Sequence, residues 1–295
     1  MKHLVSIDDL TISDIDEICK IADVRSHQSS SCMANKSVVF LFFENSTRTH
    51  YSFSLAAKKL HAITETINTN TLSINKGESL TDTMLVFNNL KVNVVIIRSQ
   101  INYLPYTLVT QSVDFSVINA GDGINEHPSQ ALIDFYTIRN NLSHKLKKIL
   151  ICGDILHSRV AHSNIKIFDK YNIDYATVSP PTLYKPLNKM HYSSVETALS
   201  SEYFDIIMIM RPQQERIKAG YISSYQEYTK YYGLNEQSLA KSKNPNIAIM
   251  HPGPVIRDLD ISNTVLDNQM NYLLILKQSS NGLIIRQAIL EFLSR

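Results

Sequence analysis

The sequence predicts an α/β protein made of two doubly wound parallel-sheet domains, each with helices on both faces. Short apolar runs alternate with segments of helical periodicity along the chain, which is typical of parallel sheets. A length of 295 residues is enough for two domains of ordinary size. Polar and charged residues follow most of the apolar runs, and ligands of open α/β sheets bind at the carboxyl ends of the strands.

The strand candidates are short runs rich in β-branched and aromatic residues. In chain order they are SVVFLFF (37–43), VNVVIIR (92–98), FSVINAG (115–121), KKILICGD (147–154), IDYATVSP (173–180), FDIIMIM (204–210) and NIAIMHP (246–252). One more strand is expected just before the polar tract 68–79. Because most of these runs are apolar on both faces, the sheets should be covered on both sides.

The helix candidates carry apolar residues three and four positions apart. They are a capped helix from Thr11 or Ser13, the segment that follows Thr49, and the segments 79–90, 129–142, 159–171 and 279–293. The polar tract NNLSHKLKK (140–148) closes one helix before a new strand, which indicates a domain boundary. We therefore expect a first domain over 1–140 and a second over 141–278. The C-terminal helix, about 279–295, should return to the first domain.

Composition excludes several classes of protein. Hydrophobic residues make up 44% and charged residues 19%, and the net charge of +2 favours neither nucleic acid nor an anionic membrane. No apolar run approaches the ~20 residues that span a bilayer. The N-terminal residues lack a signal-peptide pattern. Cys19, Cys32 and Cys152 lack metal-type spacing, which favours a reducing, cytoplasmic location without a metal site.

The stretch FFENSTRTHYSF (42–53) sets three hydroxyl residues and one arginine between a predicted strand and a predicted helix. The first backbone N–H groups of a helix lack internal partners, and Ser or Thr is favoured there as a cap. Amides, hydroxyls, the helix dipole and a fixed positive charge also make an anion site. Both interpretations, a capped helix start and an anion site, are open on this stretch alone.

Further polar clusters follow the other predicted strands. They are Arg98 after VNVVII, GDGINEHPSQ (121–130), GDILHSR (153–159), Arg211 with Gln213, and HPGP (251–254). A single polar residue after a strand carries no information, because loops are polar. The repetition of Arg and His after several strands indicates a site for anionic ligands.

Taken together, these motifs resemble those of the aspartate carbamoyltransferase family. They are FFENSTRTHYSFSLAAKKL, KGESLTDT, GDGINEHPSQALIDFYTI, GDILHSRVAHSN, RPQQER and HPGP, in the family's order from about residue 40 to the C-terminus. The resemblance implies transfer of the carbamoyl group from carbamoyl phosphate to L-aspartate in pyrimidine (UMP) biosynthesis. It also implies one domain for each substrate, active sites shared across a homotrimer, and no metal or organic cofactor.

The resemblance assigns a carbamoyl-phosphate site to residues spread over the strand ends. They are Ser46, Thr47, Arg48, Thr49, Arg98, His127, Gln130, Gly253 and Pro254. Arg48 is implied as the main phosphate ligand, while Thr49, Arg98 and His127 would surround the carbamoyl oxygen, where negative charge develops. Gln130 would meet the carbamoyl NH₂ with its side-chain oxygen, together with the backbone carbonyls of Gly253 and Pro254. Arg48, Thr49, Arg98 and His127 are the candidate catalytic residues.

Aspartate brings two carboxylates, which call for two cations. Arg159 and Arg211 match the family's aspartate ligands, since each can grip a carboxylate with parallel hydrogen bonds. Gln213 is implied as a further contact, and Lys76 as a contact from the neighbouring subunit. Whether Ser73 takes the place of the family's phosphate-contacting loop serine stays open, as does association with regulatory chains or dihydroorotase.

Several alternatives remain. Ornithine carbamoyltransferase shares the phosphate site, but it typically has an HCLP-type motif where this chain has HPGP. A non-catalytic scaffold relative would usually lose the phosphate-binding Arg or the loop Lys, and a nucleotide-binding module would need a glycine fingerprint that GDILHS lacks. Considered alone, His127 could be only a turn or helix-start residue, and Arg159 could be only a charge on the surface of a helix. Glu44 and Asp154 are expected to hold neighbouring arginines.

Overall fold

The structure, a computed structural model, describes residues 3–68, 79–111, 113–142, 145–213, 224–268 and 273–295. The chain divides into two compact units. The first unit comprises Met1–Tyr136 with Ser280–Arg295, and the second comprises Thr137–Ser279. Each unit contains one parallel sheet flanked by helices, so the predicted fold class is confirmed.

The first unit contains a four-stranded parallel sheet in the order β2-β1-β3-β4. Its strands are β1 (Ser37–Phe42), β2 (Ile63–Ile67), β3 (Val94–Ser99) and β4 (Ser116–Asp122). Its helices are α1 (Ile12–Arg25), α2 (Thr47–Lys59), α3 (Leu80–Asn89), α4 (Leu104–Val109) and the larger parts of α5 (Pro128–Asn141) and α11 (Ile275–Ser294). The residues of β3 and β4 are buried throughout, as expected for strands of a covered parallel sheet.

The second unit contains a five-stranded parallel sheet in the order β7-β6-β5-β8-β9. Its strands are β5 (Lys148–Gly153), β6 (Asp174–Val178), β7 (His191–Tyr192), β8 (Ile206–Met210) and β9 (Ala248–Met250). Its helices are α6 (Arg159–Lys170), α7 (Val195–Ser201), α8 (Tyr225–Tyr231), α9 (Glu236–Leu239) and α10 (Asn263–Asn268). The central strands β5 and β8 supply much of the hydrophobic core of this unit.

The C-terminal helix α11 completes the first unit. Glu291 pairs with the guanidinium of Arg25 on α1 at 3.0 Å, and the Lys36 ammonium donates to the carbonyl of Ser294 over 2.8 Å. The apolar residues of α11 between positions 285 and 293 are almost fully buried. The predicted return of this helix to the first part of the chain is therefore confirmed.

Two strands, β2 and β7, lack the continuous apolar sequence of the interior strands because they lie at the edges of their sheets. β2 reads ITETI, and its exposed and half-buried residues do not form the apolar run of an interior strand. β7 has only two residues, too few to show a period. The helix start at Thr11, by contrast, is set by a capping box between Thr11 and Asp14. Among the described helices, none has the length and apolar character needed to cross a membrane.

Candidate active site

Each sheet has one place where the order of its strands reverses, and loops diverge there to leave a crevice at the carboxyl edge. In the first unit the reversal lies between β1 and β3, and in the second it lies between β5 and β8. Residues 46–49 and Arg98 stand at the ends of β1 and β3. Arg159 and Arg211 follow β5 and β8. The predicted cations are therefore gathered at the reversal point of each sheet.

The start of α2 differs from most other helix starts in the chain. Ser46 is its N-cap, but the Ser46 side chain makes no capping hydrogen bond. The N-cap side chains of α1, α3, α6, α7, α8 and α9 all accept a hydrogen bond from their own helix. In the first turn α2 carries Arg48 and no acidic residue. A cation beside the positive end of a helix dipole is unfavourable unless an anion joins it, so this turn is suited to a phosphate.

Arg98 is fixed next to that turn by contacts on both sides. Its Nη2 donates to Oε1 of Glu44 over 2.9 Å, and its Nη1 donates to the carbonyl of Ala120 over 3.1 Å. The Phe43 N–H donates to the Arg98 carbonyl over 2.9 Å, which joins β3 to the chain just before α2. Arg98 is only 8% exposed. Glu44 thus holds an arginine, as the sequence predicts.

The loop after β4 is held by the carboxylate of Asp122. This group accepts hydrogen bonds from the side chains of Asn119 and Asn125 and from the backbone N–H groups of Tyr103 and Glu126. Burial raises the pKa of Asp122, although these hydrogen bonds act in the opposite direction. The buried carboxylate therefore fixes the course of the loop that leads to His127.

His127 and Gln130 lie where this loop enters α5. His127 is 5% exposed, and its Nδ1 lies 3.4 Å from the hydroxyl of Ser129. Gln130, in the first turn of α5, donates from Nε2 to Oδ1 of Asp134 over 2.8 Å. Both side chains are thus held by neighbours on the same short stretch of chain.

In the second unit, the end of β5 passes very close to the end of β8. Gly153 has a φ of +110°, and a Cβ atom there would lie 1.8 Å from the carbonyl oxygen of Met210. Asp154, fully buried, then accepts hydrogen bonds from the backbone N–H groups of His157 (3.0 Å) and Gln213 (3.1 Å). Within the described part of the chain, the carboxylate binds these groups and the His157 ring rather than an arginine, so the expectation that Asp154 holds an arginine was wrong.

The two arginines of the second unit have different surroundings. Arg159 is the first residue of α6 and is 3% exposed, which excludes the interpretation as a surface charge. Like α2, α6 has no acidic residue in its first turn. Arg211 is partly exposed, and Gln213 donates from Nε2 to its carbonyl over 2.9 Å. This turn therefore presents Arg211 with a carboxamide whose orientation is fixed.

The turn 251–254, which contains Gly253 and Pro254, is fixed by a buried pair of side chains. Nδ1 of His251 accepts a hydrogen bond from the Gly253 N–H over 2.8 Å, so Nε2 carries the proton and donates to Asp260 over 3.2 Å. The Gly253–Pro254 peptide is cis, and Gly253 has a φ of 74°. The motif HPGP alone does not indicate this role of its histidine.

Other neighbours of the predicted residues were also missed. Asp134 lies one helical turn after Gln130, a spacing that was visible in HPSQALID. Arg286, on α11, is attracted to Asp134. The two residues are far apart in the sequence, so no local sequence pattern indicates this interaction. Lys76 and Ser73 lie outside the described residues.

The donor set does not resemble a metal centre. Within the described ranges, no group of three or more His, Cys, Asp or Glu side chains could hold a metal ion. The three cysteines form no disulfide, and burial strongly raises the pKa of the Cys152 thiol.

Comparison with known proteins gives a consistent result over the full chain. Residues 2–140 match the family model described as the aspartate/ornithine carbamoyltransferase carbamoyl-P binding domain, and residues 145–293 match the Asp/Orn binding domain. The chain is 43% identical to the aspartate carbamoyltransferase catalytic subunit of Caldicellulosiruptor bescii, over 100% of this chain and 98% of that protein. It is 42% identical to the protein of the same description from Ehrlichia ruminantium, over 99% of each chain.

Solved structures show the same fold. The catalytic subunit of M. jannaschii aspartate transcarbamoylase is 28% identical, with a TM-score of 0.83 over 99% of this chain and 98% of that one. Trypanosoma cruzi aspartate transcarbamoylase, in complex with carbamoyl phosphate and aspartate, has a TM-score of 0.85 at 23% identity, over 98% of this chain and 96% of that one.

Proposed function

Since the chain belongs to the aspartate/ornithine carbamoyltransferase family, we propose that it transfers the carbamoyl group of carbamoyl phosphate to the amine of L-aspartate. The products are N-carbamoyl-L-aspartate and phosphate, in de novo pyrimidine biosynthesis. One observation carries the proposal: each sheet presents arginines at its reversal point, beside a helix start that has no acidic residue. Two such sites suit two anionic substrates.

The first unit supplies the ligands of the phosphate. The dianion accepts hydrogen bonds from the hydroxyls and amides of residues 46–49, and the guanidinium of Arg48 supplies the main charge. The Ser46 hydroxyl is suited to this role because it does not cap its own helix. Arg98, held by Glu44, adds a second guanidinium.

The chemical step needs stabilisation of charge more than a nucleophile from the protein. The amine of aspartate attacks the carbamoyl carbon, the bond from that carbon to the phosphate oxygen breaks, and phosphate leaves with the amine proton. Negative charge grows on the carbamoyl oxygen, and Thr49, Arg98 and His127 donate to it. Gln130 accepts from the carbamoyl NH₂, as do the carbonyls of Gly253 and Pro254. Catalysis is then chiefly positioning and electrostatics.

The second unit supplies the ligands of aspartate. Arg159 and Arg211 each bind one carboxylate, and Gln213 adds a hydrogen bond. Ornithine carries a cationic side chain, which two arginines would repel, and none of the three cysteines lies near the turn 251–254 in the sequence. Arg48, Arg98, His127 and the loop Lys76 are all present, which disfavours a non-catalytic scaffold.

We also propose a homotrimer in which Lys76 acts on the neighbouring subunit's site. Exposed large apolar side chains are frequent on and near two helices of the first unit: Leu85, Val86, Leu90, Ile101, Tyr103 and Tyr106. Such side chains favour contact with another protein surface. Lys76 precedes α3 by only a few residues, so a contact surface on α3 would bring it to the neighbour. A cytoplasmic location and association with regulatory chains or dihydroorotase are compatible with this assembly.

Turnover tests the activity directly. Phosphate release from carbamoyl phosphate should require L-aspartate and should be unaffected by a chelator. Faster release with ornithine, or loss of activity on chelation, would contradict the proposal.

Hybrid trimers test the shared site. Lys76→Ala and Arg48→Ala proteins should each be nearly inactive, and dissociating and reassociating them together should recover about one quarter of the wild-type sites. Hybrid trimers, identified by mass, that stay as inactive as their parents would show that Lys76 does not act across the interface.

A further inference from the structure

The side chain of Gln130 is held by one neighbour in a way that decides which end of its amide faces outward. Its Nε2 donates to Oδ1 of Asp134 over 2.8 Å, and Asp134 is fully buried one turn further along α5. An ionised carboxylate accepts hydrogen bonds and donates none. It therefore selects the NH₂ end of Gln130 and turns the carbonyl end of the amide away from itself.

A buried cation, Arg286, attracts the carboxylate of Asp134. Arg286 of α11 is 5% exposed, and its Nε, fully buried, has no hydrogen-bond partner among the described residues. Its guanidinium lies over the ring of Phe53 on α2, with Cζ 4.8 Å from the ring centroid. Its Nη1 lies only 3.0 Å from the position that a Cβ on Gly282 would take, so the glycine makes room for the guanidinium.

The charge of Arg286 acts on Asp134 and on Arg98. Burial, and then repulsion from Arg98, lower the pKa of Arg286 to about 9, whereas attraction to Asp134 acts in the opposite direction. The guanidinium thus stays charged at neutral pH. This attraction links the guanidinium of Arg286 to the Asp134 carboxylate, which accepts the hydrogen bond from Gln130.

We propose that Asp134, backed by Arg286, is a positioning residue that fixes the Gln130 amide with its oxygen toward the ligand, and that it thereby sets selectivity for a carbamoyl NH₂ over a methyl group. This inference rests on the proposed function, because it takes Gln130 as the group that meets the carbamoyl nitrogen. With its oxygen outward, Gln130 accepts from an NH₂ and gains nothing from a methyl. With the amide reversed, two donors would face each other.

Two stable phosphonates that differ in one group measure this selectivity. Phosphonoacetamide carries the NH₂, and acetonylphosphonate carries a methyl in its place, with the same phosphonate and carbonyl. Titration calorimetry of the wild-type chain should show about 10- to 100-fold tighter binding of the amide. Wild-type chain that binds neither phosphonate would contradict the proposed function itself. Wild type that binds both equally would overturn only the role of Gln130, and this inference with it.

Asp134→Asn is the decisive variant. The carboxamide oxygen introduced at position 134 should turn toward the cation Arg286, so the new NH₂ faces Gln130 and reverses the Gln130 amide. The preference for phosphonoacetamide should fall to within about threefold, while acetonylphosphonate affinity stays within about twofold of wild type. Asp134→Ser replaces the carboxylate with a short hydroxyl that can either donate or accept, so Gln130 then samples both orientations and the preference should fall by only about two- to fivefold.

Controls separate this role from general support of the fold. Melting temperatures establish whether Asp134→Asn and Asp134→Ser fold. Either folded variant is enough to compare the two affinities with those of wild type. In a Gln130→Met background, which lacks the amide, Asp134→Asn should not change the ratio of the two affinities further. The inference is overturned if folded Asp134 variants keep the wild-type preference, if both ligands weaken equally, or if the ratio changes as much without Gln130 as with it.

Discussion

The two strand-reversal points use the same topology but hold their charges differently. The chain reaches Glu44 shortly after β1 and Asp154 immediately after β5, so each crevice begins with a carboxylate. Glu44 binds a guanidinium, that of Arg98, at 2.9 Å. Asp154 binds the backbone N–H groups of His157 and Gln213 instead. The first crevice is therefore organised by contacts between side chains, and the second by a carboxylate that shapes the backbone.

This difference indicates how each site tolerates change. Where side chains hold one another, a substitution alters charge and ligand binding while the backbone keeps its course. Where the backbone itself is shaped by close packing, a substitution alters stability first. The first crevice should respond chiefly through activity, and the second should respond strongly through folding.

The largest effect on activity is expected from Arg48→Ala. The variant loses the charge at the start of α2, so kcat/KM should fall on the order of 10³-fold, with a marked loss of phosphate affinity. The matched control is Lys58→Ala, at the exposed far end of the same helix, which should leave kcat/KM unchanged. Steady-state kinetics and phosphate titration measure both, and equal losses in the two variants would refute a local role.

His127→Ala should act on turnover more than on binding. Its partner charge develops in the transition state, so kcat should fall about 10²–10³-fold while the KM for carbamoyl phosphate changes little. His157→Ala is the counterpart in the second unit, since His157 contacts Asp154. It should affect the KM for aspartate more than kcat. A His127→Ala enzyme with normal turnover would contradict the assignment.

Gly153→Ala should destabilise the protein more than Gly123→Ala. At position 153 the new Cβ would meet a backbone carbonyl at 1.8 Å with φ at +110°, whereas at 123 the nearest atom, at 1.9 Å with φ at +43°, is the end of the Asn102 side chain. We expect a loss of about 3 kcal/mol or more in the free energy of unfolding for Gly153→Ala and about 1–2 kcal/mol for Gly123→Ala. Urea denaturation measures the free energy of unfolding of both variants. A larger loss for Gly123→Ala than for Gly153→Ala would contradict this prediction.

The smallest effect concerns pH and the ion pair between Lys148 of β5 and Glu202, which follows α7. Hydrogen bonding from Lys148 lowers the pKa of Glu202. A carboxyl with a lowered folded-state pKa adds stability above its unfolded-state pKa and loses it as pH falls through the folded-state value. Glu202 is partly exposed, so Glu202→Gln should cost less than about 1 kcal/mol at pH 7 and clearly less than that at about pH 3. Glu65→Gln on β2, an exposed position, should cost little at either pH, and denaturation at both pH values measures the difference.

The sequence predicted most of the fold because interior strands and long helices carry a period. It missed β7 and gave β2 no bounds, since short or polar edge strands bury too little apolar surface to show one. It also predicted which residues gather at the strand ends, because parallel strands bring their carboxyl ends together. Hydrogen-bond partners were harder to predict: Glu44 was assigned to an arginine correctly, and Asp154 was not. A carboxylate after a strand can bind a side chain or a backbone, and only the packing decides which.

Contacts distant in sequence were beyond prediction for the same reason. Nothing near Gln130 in the sequence indicates that Arg286, on the last helix, attracts the carboxylate of its partner Asp134. Asp134 itself was within reach, because the i, i+4 spacing on a helix brings two side chains together.

The place of α11 has a consequence for how the chain folds during synthesis. The first unit is discontinuous, since Ser280–Arg295 must join Met1–Tyr136 after the whole second unit has emerged. Contacts such as Arg25 with Glu291 close a very long loop, and contacts of high sequence separation form slowly. The second unit, continuous in sequence, is able to fold as soon as it has been made. Translation order is thus inverted in assembly: the part of the protein that a ribosome makes first is the part that is finished last.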